Sequence, residues 1–316
     1  MASLPSAPAP VFIGGPTASG KSAVAIALAA GLPGGGEIVN ADAFQLYAGL
    51  RIVTARPSAE EEEQCPHHLY GWLDPRESCN AQRFRETALP VIGAISKRGA
   101  VPIVVGGSGL YLKALTHGLP DVPPADPVLR EKLANLPLEE RVAQLEKLDP
   151  KGAAAMDLQN DRYVSRALEI SILAGRPGSE LKAEWLDQQP SVDAFWLDWD
   201  RDDLCNRIAE RSRAMLRGGA LKEVADLADL SATAEKAIGI GEIRRHLGGE
   251  TSLEQCVEEL TIATRQYAKR QRTWFRRETC FQRIEVVPGQ AAAEIAAQIV
   301  ELLGRDSADA TPEGLR

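Results

Sequence analysis

Short apolar runs alternate with helix-forming stretches along much of this chain. Residues 11–14 are apolar and enter a glycine-rich turn, after which 22–30 consist mainly of strong helix formers. Further apolar runs of strand length lie at 37–41, 101–105 and 194–199. Because strands that alternate with helices usually form parallel sheets, the pattern predicts an α/β fold in which helices cover both faces of a parallel sheet.

The stretch between the third and fourth predicted strands has a different composition. It opens on a proline-rich linker and continues as a charged, mostly helical segment. We therefore divide the chain into a core, 11–119 and 191–305, that is interrupted by a helical insertion domain, 120–190. The two ends, 1–10 and 306–316, are predicted to be disordered.

The composition is that of an ordinary soluble protein and argues against several classes of function. The chain has no run of about 18 apolar residues, so we expect no membrane span. Its five cysteines form no C-x-x-C pair, which favours free thiols in a reducing cytoplasm over a structural zinc site. We expect a monomer located in the cytoplasm.

The clearest chemical motif follows the first predicted strand. It fits the pattern G-x-x-x-x-G-K-[ST], whose glycines let backbone N–H groups approach a phosphate. In such a loop Lys21 reaches the terminal phosphate and the Ser22 hydroxyl binds Mg²⁺. A ligand-free glycine turn is the alternative interpretation. The predicted phosphate-binding residues are Gly15, Pro16, Thr17, Ala18, Ser19, Gly20, Lys21 and Ser22.

Two further polar residues follow predicted strands. Asp42 closes the second strand, and Ser108 lies in a glycine-rich turn after the third. In open parallel sheets ligands bind at the carboxyl ends of the strands, so both residues are expected near the phosphate loop. From its position alone, Asp42 is a carboxylate beside magnesium, a general base or a helix cap. His67 and His68 lack a third metal ligand nearby and are expected to pack or to form local hydrogen bonds.

A basic stripe lies near the end of a chain whose net charge is −8. Between residues 264 and 283 there are seven Arg or Lys and one acid, Glu278. Four of the cations follow an i, i+4, i+7, i+11 spacing, which places them on one face of a helix. The usual interpretation is a solvated surface, but the scarcity of acids favours contact with RNA phosphates. The stripe consists of Arg265, Lys269, Arg272 and Arg276.

Taken together, these motifs resemble those of the bacterial tRNA dimethylallyltransferases, also called tRNA isopentenyltransferases, over nearly the whole length. The order and spacing of the blocks are more specific than any one of them. The blocks are 15–22, Asp42 with Gln45 and Tyr47, 49–57, 67–69, 106–112, 166–169, 236–239 and 264–276.

The resemblance implies transfer of a dimethylallyl group from dimethylallyl diphosphate to N6 of the tRNA adenosine 3′ of the anticodon, position 37. The product is N6-isopentenyladenosine, and the base must leave its stack to react. A core like that of the nucleotide kinases would hold the diphosphate and Mg²⁺. By the same resemblance, Asp42 takes the proton from the adenine amine, and Ser108 helps to orient that amine. Arg211, in preference to Arg207, stabilises the leaving diphosphate.

The resemblance also implies which residues contact tRNA. They are Asp42, Ala43, Phe44, Gln45, the insertion-domain residues Arg162 and Arg166, and the four cations of the stripe. The chain departs from the family pattern at Ala43, Ile240 and Gly241, at Tyr163, where an arginine is common, and in the short length of its insertion.

Three other functions compete with this interpretation. An adenylate isopentenyltransferase would use a free nucleotide as acceptor, and a small-molecule P-loop kinase would turn over ATP. Neither needs a basic C-terminal helix, so that helix favours tRNA as the substrate. The third alternative is an RNA-binding module whose catalytic site has decayed.

Overall fold

The structure, a computed structural model, describes residues 7–188 and 190–309, without the side chains of Leu186 and 305–309. The predicted disorder of 1–6 and of 310–316 lies outside the described residues. Residues 7–10 carry no regular structure.

In the part of the chain that the structure describes, six parallel strands form one sheet in the order β3-β2-β4-β1-β5-β6. They are β1 (Val11–Gly14), β2 (Gly36–Asn40), β3 (His67–His68), β4 (Val101–Gly106), β5 (Asp193–Trp199) and β6 (Gln282–Val286). The predicted α/β class and the four predicted strands are confirmed. The edge strands β3 and β6 were not predicted, because β3 has two residues and β6 alternates polar with apolar positions.

Helices fill the connections between the strands. In the described residues they are α1 (Lys21–Gly31), α2 (Ala59–Glu62), α3 (Ala81–Lys97), α4 (Gly109–Thr116), α5 (Pro127–Ala134), α6 (Leu138–Leu148), α7 (Pro150–Ala154), α8 (Asp161–Ala174), α9 (Gly178–Leu186), α10 (Arg201–Met215), α11 (Leu221–Ala225), α12 (Ile240–Leu247), α13 (Leu253–Phe275) and α14 (Ala292–Asp309). A π-helical segment, Leu216–Ala220, joins α10 to α11. Residues 306–309, which we expected in a disordered tail, are helical because α14 continues through them. Each added residue gains a backbone hydrogen bond once a helix is nucleated.

Helices cover both faces of the sheet. Because successive side chains of a strand point to opposite faces, neighbouring residues pack against different helices. Val11 and Ile13 point to the face on which α1 and α14 pack, with buried partners such as Leu28. On the opposite face the Trp196 indole stacks on the Phe275 ring of α13 at a centroid distance of 5.6 Å. Burial of these apolar side chains is what holds the layers together.

The chain divides into two compact units. The larger unit comprises Met1–Thr116 and Ser191–Arg316 and contains the whole sheet. The smaller unit, His117–Pro190, begins slightly before the insertion that we placed at 120–190. None of the helices in the described part of the chain combines the length and the apolar character that a bilayer crossing requires.

The smaller unit has a core of its own, built from α5 to α8. Its buried side chains include Leu133, Leu145, Val164 and Leu168. At its edge the carboxylate of Glu169, which is 1% exposed, accepts hydrogen bonds from two arginine side chains and one backbone N–H. A buried carboxylate needs such partners, because its desolvation is otherwise unfavourable.

Candidate active site

The phosphate loop leaves the sheet at Gly14 and enters α1 at Lys21. Its backbone adopts positive φ angles at Gly15 (151°), Ala18 (66°) and Gly20 (82°). A side chain at Gly15 would also be crowded, since a Cβ there would lie 2.9 Å from Ser19 Oγ. The glycines of the motif are thus required by this turn.

Side chains from distant parts of the larger unit hold this loop in place. The Thr17 N–H donates to Gln271 Oε1 at 2.8 Å, and the Trp199 indole N–H donates to the Ser19 carbonyl at 2.9 Å. Arg207 Nε donates to the Ala18 carbonyl at 2.9 Å. Within the described residues, Ser19 Oγ is buried without a hydrogen-bond partner. An orphaned polar atom inside a phosphate loop fits a site that is completed by a ligand.

A cleft of about 660 Å³ opens over the loop. Its wall carries four cations and three acids, an arrangement that can hold a phosphate ester and its counter-ion. The cations are Lys21, Arg207, Arg211 and Arg217, and the acids are Asp42, Glu61 and Glu210. The hydroxyl-bearing residues Thr17 and Ser22 also line it.

The cations nearest the loop are desolvated. Burial lowers the pKa of Lys21 from 10.5 to about 8, opposed by the Asp42 carboxylate and assisted by the charge of Arg211. Burial likewise lowers the pKa of Arg211, and Arg207 adds to the effect while Asp42 opposes it. An anion bound here would pair with charges that are otherwise unfavourable, which is a common property of functional sites.

Asp42 and Ser108 come together as the sheet order predicts, because β4 lies between β2 and β1. Asn40 fixes the backbone of Asp42, accepting from its N–H at 2.8 Å and donating to its carbonyl at 3.2 Å. Ser108 Oγ accepts from the N–H of Ala43 at 2.8 Å. Asp42 Oδ1 accepts from the Phe44 N–H at 3.0 Å, which is a local turn contact. The carboxylate also faces the cleft, so the base and magnesium interpretations stay open alongside the cap.

A second, smaller pocket adjoins Asp42. Its lining mixes apolar side chains, among them Phe44, Val53, Met215 and Leu260, with polar ones such as Thr54 and Thr264. Tyr267 also lines it, with its ring centroid 6.0 Å from that of Phe44. Burial raises the pKa of this phenol, which therefore stays neutral.

Helix α13 packs against the carboxyl ends of the strands at glycines. A Cβ at Gly14 would lie 2.3 Å from the Phe275 ring, and one at Gly109 would lie 2.4 Å from the Trp274 ring. These aromatic residues therefore anchor the helix against the core. The close approach brings the inner face of α13 directly onto the phosphate loop.

The four cations of the basic stripe fall into two groups in the structure: three are exposed, and one forms an ion pair with a buried acid. Lys269 and Arg276 are exposed, and exposed Arg265 donates to the Cys205 carbonyl at 3.4 Å. Arg272 instead pairs with Asp198, which is 1% exposed. Our expectation that no acid pairs with the stripe is wrong at Arg272, because its partner comes from β5 and is distant in the sequence. The same carboxylate also pairs with Arg283 at 2.8 Å.

Other residues that the resemblance assigned to tRNA binding have internal partners. The Gln45 amide donates to the carbonyls of Thr54 and Ala55, at 3.0 and 2.9 Å. In the smaller unit Arg166 pairs with the buried carboxylate of Glu169, whereas Arg162 is exposed.

The two histidines and the positions that depart from the family pattern have local roles. His67 Nδ1 donates to the Cys65 carbonyl at 2.8 Å, and His68 Nε2 lies 2.7 Å from Glu37 Oε2, so both form the expected local hydrogen bonds. Ile240 is fully buried, and Gly241 is exposed.

Several side chains of the site were not found from the sequence. Gln271 and Tyr267 lie on the inner face of α13, where a helical repeat indicates burial but not a polar contact. Arg217 and Glu210 line the cleft from the region of α10, where the sequence pointed only to Arg207 and Arg211. No signal in one sequence identifies these contacts, because they depend on which helix packs over the loop.

The comparisons with known proteins agree with this geometry. The model of the IPP transferase family matches residues 45–278. A tRNA dimethylallyltransferase of Akkermansia muciniphila is 44% identical over 294 residues, covering 93% of this chain and 99% of that protein. A tRNA dimethylallyltransferase of Rhodopseudomonas palustris is 42% identical over 286 residues, covering 86% of this chain and 87% of that protein.

Solved structures give the same result. A full-length tRNA isopentenylpyrophosphate transferase from Bacillus halodurans is 33% identical with a TM-score of 0.67, covering 95% of this chain and 98% of its own. A eukaryotic dimethylallyltransferase described as acting on tRNA is 26% identical with a TM-score of 0.79, covering 96% of this chain and 80% of its own. The resemblance drawn from the sequence motifs is confirmed.

Proposed function

The chain belongs to the IPP transferase family, and we propose that it transfers a dimethylallyl group from dimethylallyl diphosphate to N6 of the tRNA adenosine 3′ of the anticodon. The observation that carries the proposal is one cleft in which Lys21, Arg211 and Asp42 face the same space. The cations suit the leaving group of a phosphate ester, and the carboxylate suits the proton of an amine.

The donor would bind with its diphosphate over the phosphate loop. The buried charges of Lys21 and Arg211 favour an anion, and the loop N–H groups at the start of α1 add to the attraction. The five-carbon group would lie beside Asp42, where Phe44 and Leu260 offer apolar contacts.

The reaction forms one bond and breaks another. The adenine N6 lone pair attacks C1 of the dimethylallyl group, and the C1–O bond breaks with its electrons passing to the diphosphate. The amine proton passes to the Asp42 carboxylate. A positioned base of this kind contributes about 10²–10⁴-fold, and charge stabilisation by Lys21 and Arg211 assists the departure of the diphosphate.

Mg²⁺ fits the donor set of this cleft. The Ser22 hydroxyl and the Asp42 carboxylate both line it, and Mg²⁺ in nucleotide sites is held by a few oxygen ligands together with substrate phosphates. When bound, the ion would neutralise charge on the diphosphate. Ser22 is the residue that we propose as its protein ligand.

The tRNA would dock on the exposed cations of α13. Arg265, Lys269 and Arg276 are solvent-accessible on one helix, and phosphate contacts supply much of the affinity of proteins for nucleic acids. Arg162 would add a contact from the smaller unit. Because tRNA modification takes place where tRNA is found, we further propose that the protein acts in the cytoplasm, as a monomer.

A single assay tests the proposal. Labelled dimethylallyl diphosphate, Mg²⁺ and unmodified tRNA are incubated with the protein, and the nucleosides are then analysed. We expect label in N6-isopentenyladenosine from wild type and almost none from Asp42→Asn. Transfer to free AMP instead would identify an adenylate isopentenyltransferase, and ATP consumption without transfer would identify a kinase.

A further inference from the structure

We propose that Gln271 is a positioning residue for the transfer reaction: its side-chain amide fixes the phosphate loop relative to the turn that carries Ser108. The inference rests on the proposed function, because it concerns the same cleft. It assigns a role to a residue of α13 that touches neither the donor nor the base directly.

The contacts of Gln271 use both ends of its amide. The side chain is 5% exposed, its Oε1 accepts from the Thr17 N–H at 2.8 Å, and its Nε2 donates to the Gly107 carbonyl at 2.9 Å. An amide carries one acceptor and one donor group in a fixed plane. Rotating it by half a turn would set donor against donor and acceptor against acceptor, so only one orientation satisfies both contacts.

One of the two contacts acts through Thr17, on the side of the cleft where the dimethylallyl diphosphate would bind. The Thr17 hydroxyl accepts a hydrogen bond from the Arg211 guanidinium, which lines the cleft. The position of the Thr17 backbone therefore decides where the arginine stands. Gln271 sets that position from behind the loop.

The other contact acts through Gly107, on the side of the cleft where the tRNA adenosine would bind. The next residue, Ser108, accepts from the Ala43 N–H, which follows Asp42 directly. One turn before Gln271 on α13, Tyr267 lines the pocket beside Asp42. The amide thus ties together the loop beside the leaving group and the turn beside the base.

The docking of α13 does not depend on this amide. The Phe275 ring packs on Gly14, and Arg272 pairs with the buried carboxylate of Asp198. Loss of the amide alone should therefore leave the helix in place while freeing the loop from the turn. Catalysis is sensitive to such changes, since a displacement of about 1 Å can cost about 100-fold in rate.

The test compares Gln271→Met, Gln271→Glu and a matched control, Thr261→Val. Met keeps the length of Gln but offers neither a donor N–H nor a comparable acceptor. Thr261 lies on the same helix and is 7% exposed, and its hydroxyl donates to the Val257 carbonyl of that helix. Steady-state constants, melting temperature and calorimetric binding of inorganic diphosphate with Mg²⁺ are measured for each.

We expect Gln271→Met to lower kcat about 10–100-fold, with a smaller change in KM for tRNA, and to weaken diphosphate binding at least about threefold. Thr261→Val should leave all three unchanged. Gln271→Glu supplies a rescue: its protonated carboxyl again offers one donor and one acceptor, so its kcat relative to wild type should rise as the pH is lowered from about 8 to about 6.

Three outcomes would overturn the inference. The first is that Gln271→Met keeps kcat within about twofold of wild type, and the second is that its kcat falls no further than that of Thr261→Val. The third is that the kcat of Gln271→Glu relative to wild type does not change with pH. If wild type itself transfers nothing to tRNA, the proposed function fails instead. In that case the diphosphate affinities of Gln271→Met and wild type alone decide the positioning role.

Discussion

Arg211 donates a hydrogen bond to the hydroxyl of Thr17, which joins α10 to the phosphate loop across 194 positions of the chain. The contact turns the guanidinium towards the cleft that Asp42 and Lys21 also line. It distinguishes Arg211 from Arg207, whose guanidinium lies over the Trp199 ring at 4.4 Å and bonds to the Ala18 carbonyl. Arg211 is therefore better placed to stabilise a leaving diphosphate, and Arg207 to support the loop.

The first prediction concerns this contact. Arg211→Lys should lose much of the transfer rate, because an ammonium cannot hold the Thr17 hydroxyl and a phosphate oxygen with the geometry of a guanidinium. Thr17→Val should lower the transfer rate less than Arg211→Lys does. In a double-mutant cycle on single-turnover rates, the two effects should be non-additive by about 0.5–3 kcal/mol. Simple addition would show that the hydrogen bond plays no part in orienting the arginine.

The second prediction concerns Asp42. Asp42→Asn should keep donor affinity near that of wild type while cutting the rate of transfer by about two to four orders of magnitude, because an amide cannot accept the amine proton. Rapid-quench single-turnover measurements with saturating tRNA test this directly. A variant with more than half of the wild-type rate would rule out the base.

The third prediction follows from the pKa of Lys21, which burial lowers to about 8 in the ligand-free cleft. The ammonium attracts diphosphate only when it is protonated, so donor affinity should fall as the pH rises through about 8. Lys21→Met should bind the donor weakly and lose this pH dependence. Calorimetry from about pH 6.5 to about pH 9.5 on both proteins separates the lysine from the titration of the ligand itself. The same slope in both would assign the effect to the ligand.

The fourth prediction separates the two kinds of cation in the stripe. Lys269→Gln with Arg276→Gln should weaken tRNA binding and flatten the log–log salt dependence by roughly one to two units. Both side chains are exposed, so the melting temperature should scarcely change.

Arg272→Gln is the matched contrast within the same stripe. It should destabilise the fold by more than about 2 kcal/mol, because it removes one partner of the buried Asp198 carboxylate. Donor affinity of the Lys269 and Arg276 double variant serves as the control and should not change. If the double variant melts early while its salt slope is that of wild type, the exposed cations are structural and the tRNA surface lies elsewhere.

The sequence was sufficient for those parts of the molecule that rest on local pattern. The strand at Val11–Gly14 and the loop that follows could be predicted because glycines and a lysine must stand at fixed positions around a phosphate. Asp42 and Ser108 could be placed near that loop because the carboxyl ends of parallel strands share one edge.

The contacts that could not be predicted join residues far apart in the chain. Nothing near Arg272 indicates that Asp198 will be its partner, and nothing near Thr17 indicates Gln271. Such pairs are decided by the packing of α13 over the sheet, which is a property of the whole fold. Local charge spacing alone therefore gave no sign of the ion pair between Arg272 and Asp198.

The support of the phosphate loop by α13 also bears on how the protein is made. Thr17 and Gln271 are 254 positions apart, and Trp199 reaches Ser19 across 180. A chain emerging from the ribosome presents the loop early but cannot complete its supports until nearly all of the protein has been synthesised. Contacts of such long range also slow folding. Donor binding should therefore appear late in biosynthesis, and a nascent chain halted before Leu253 should present a phosphate loop without its binding site.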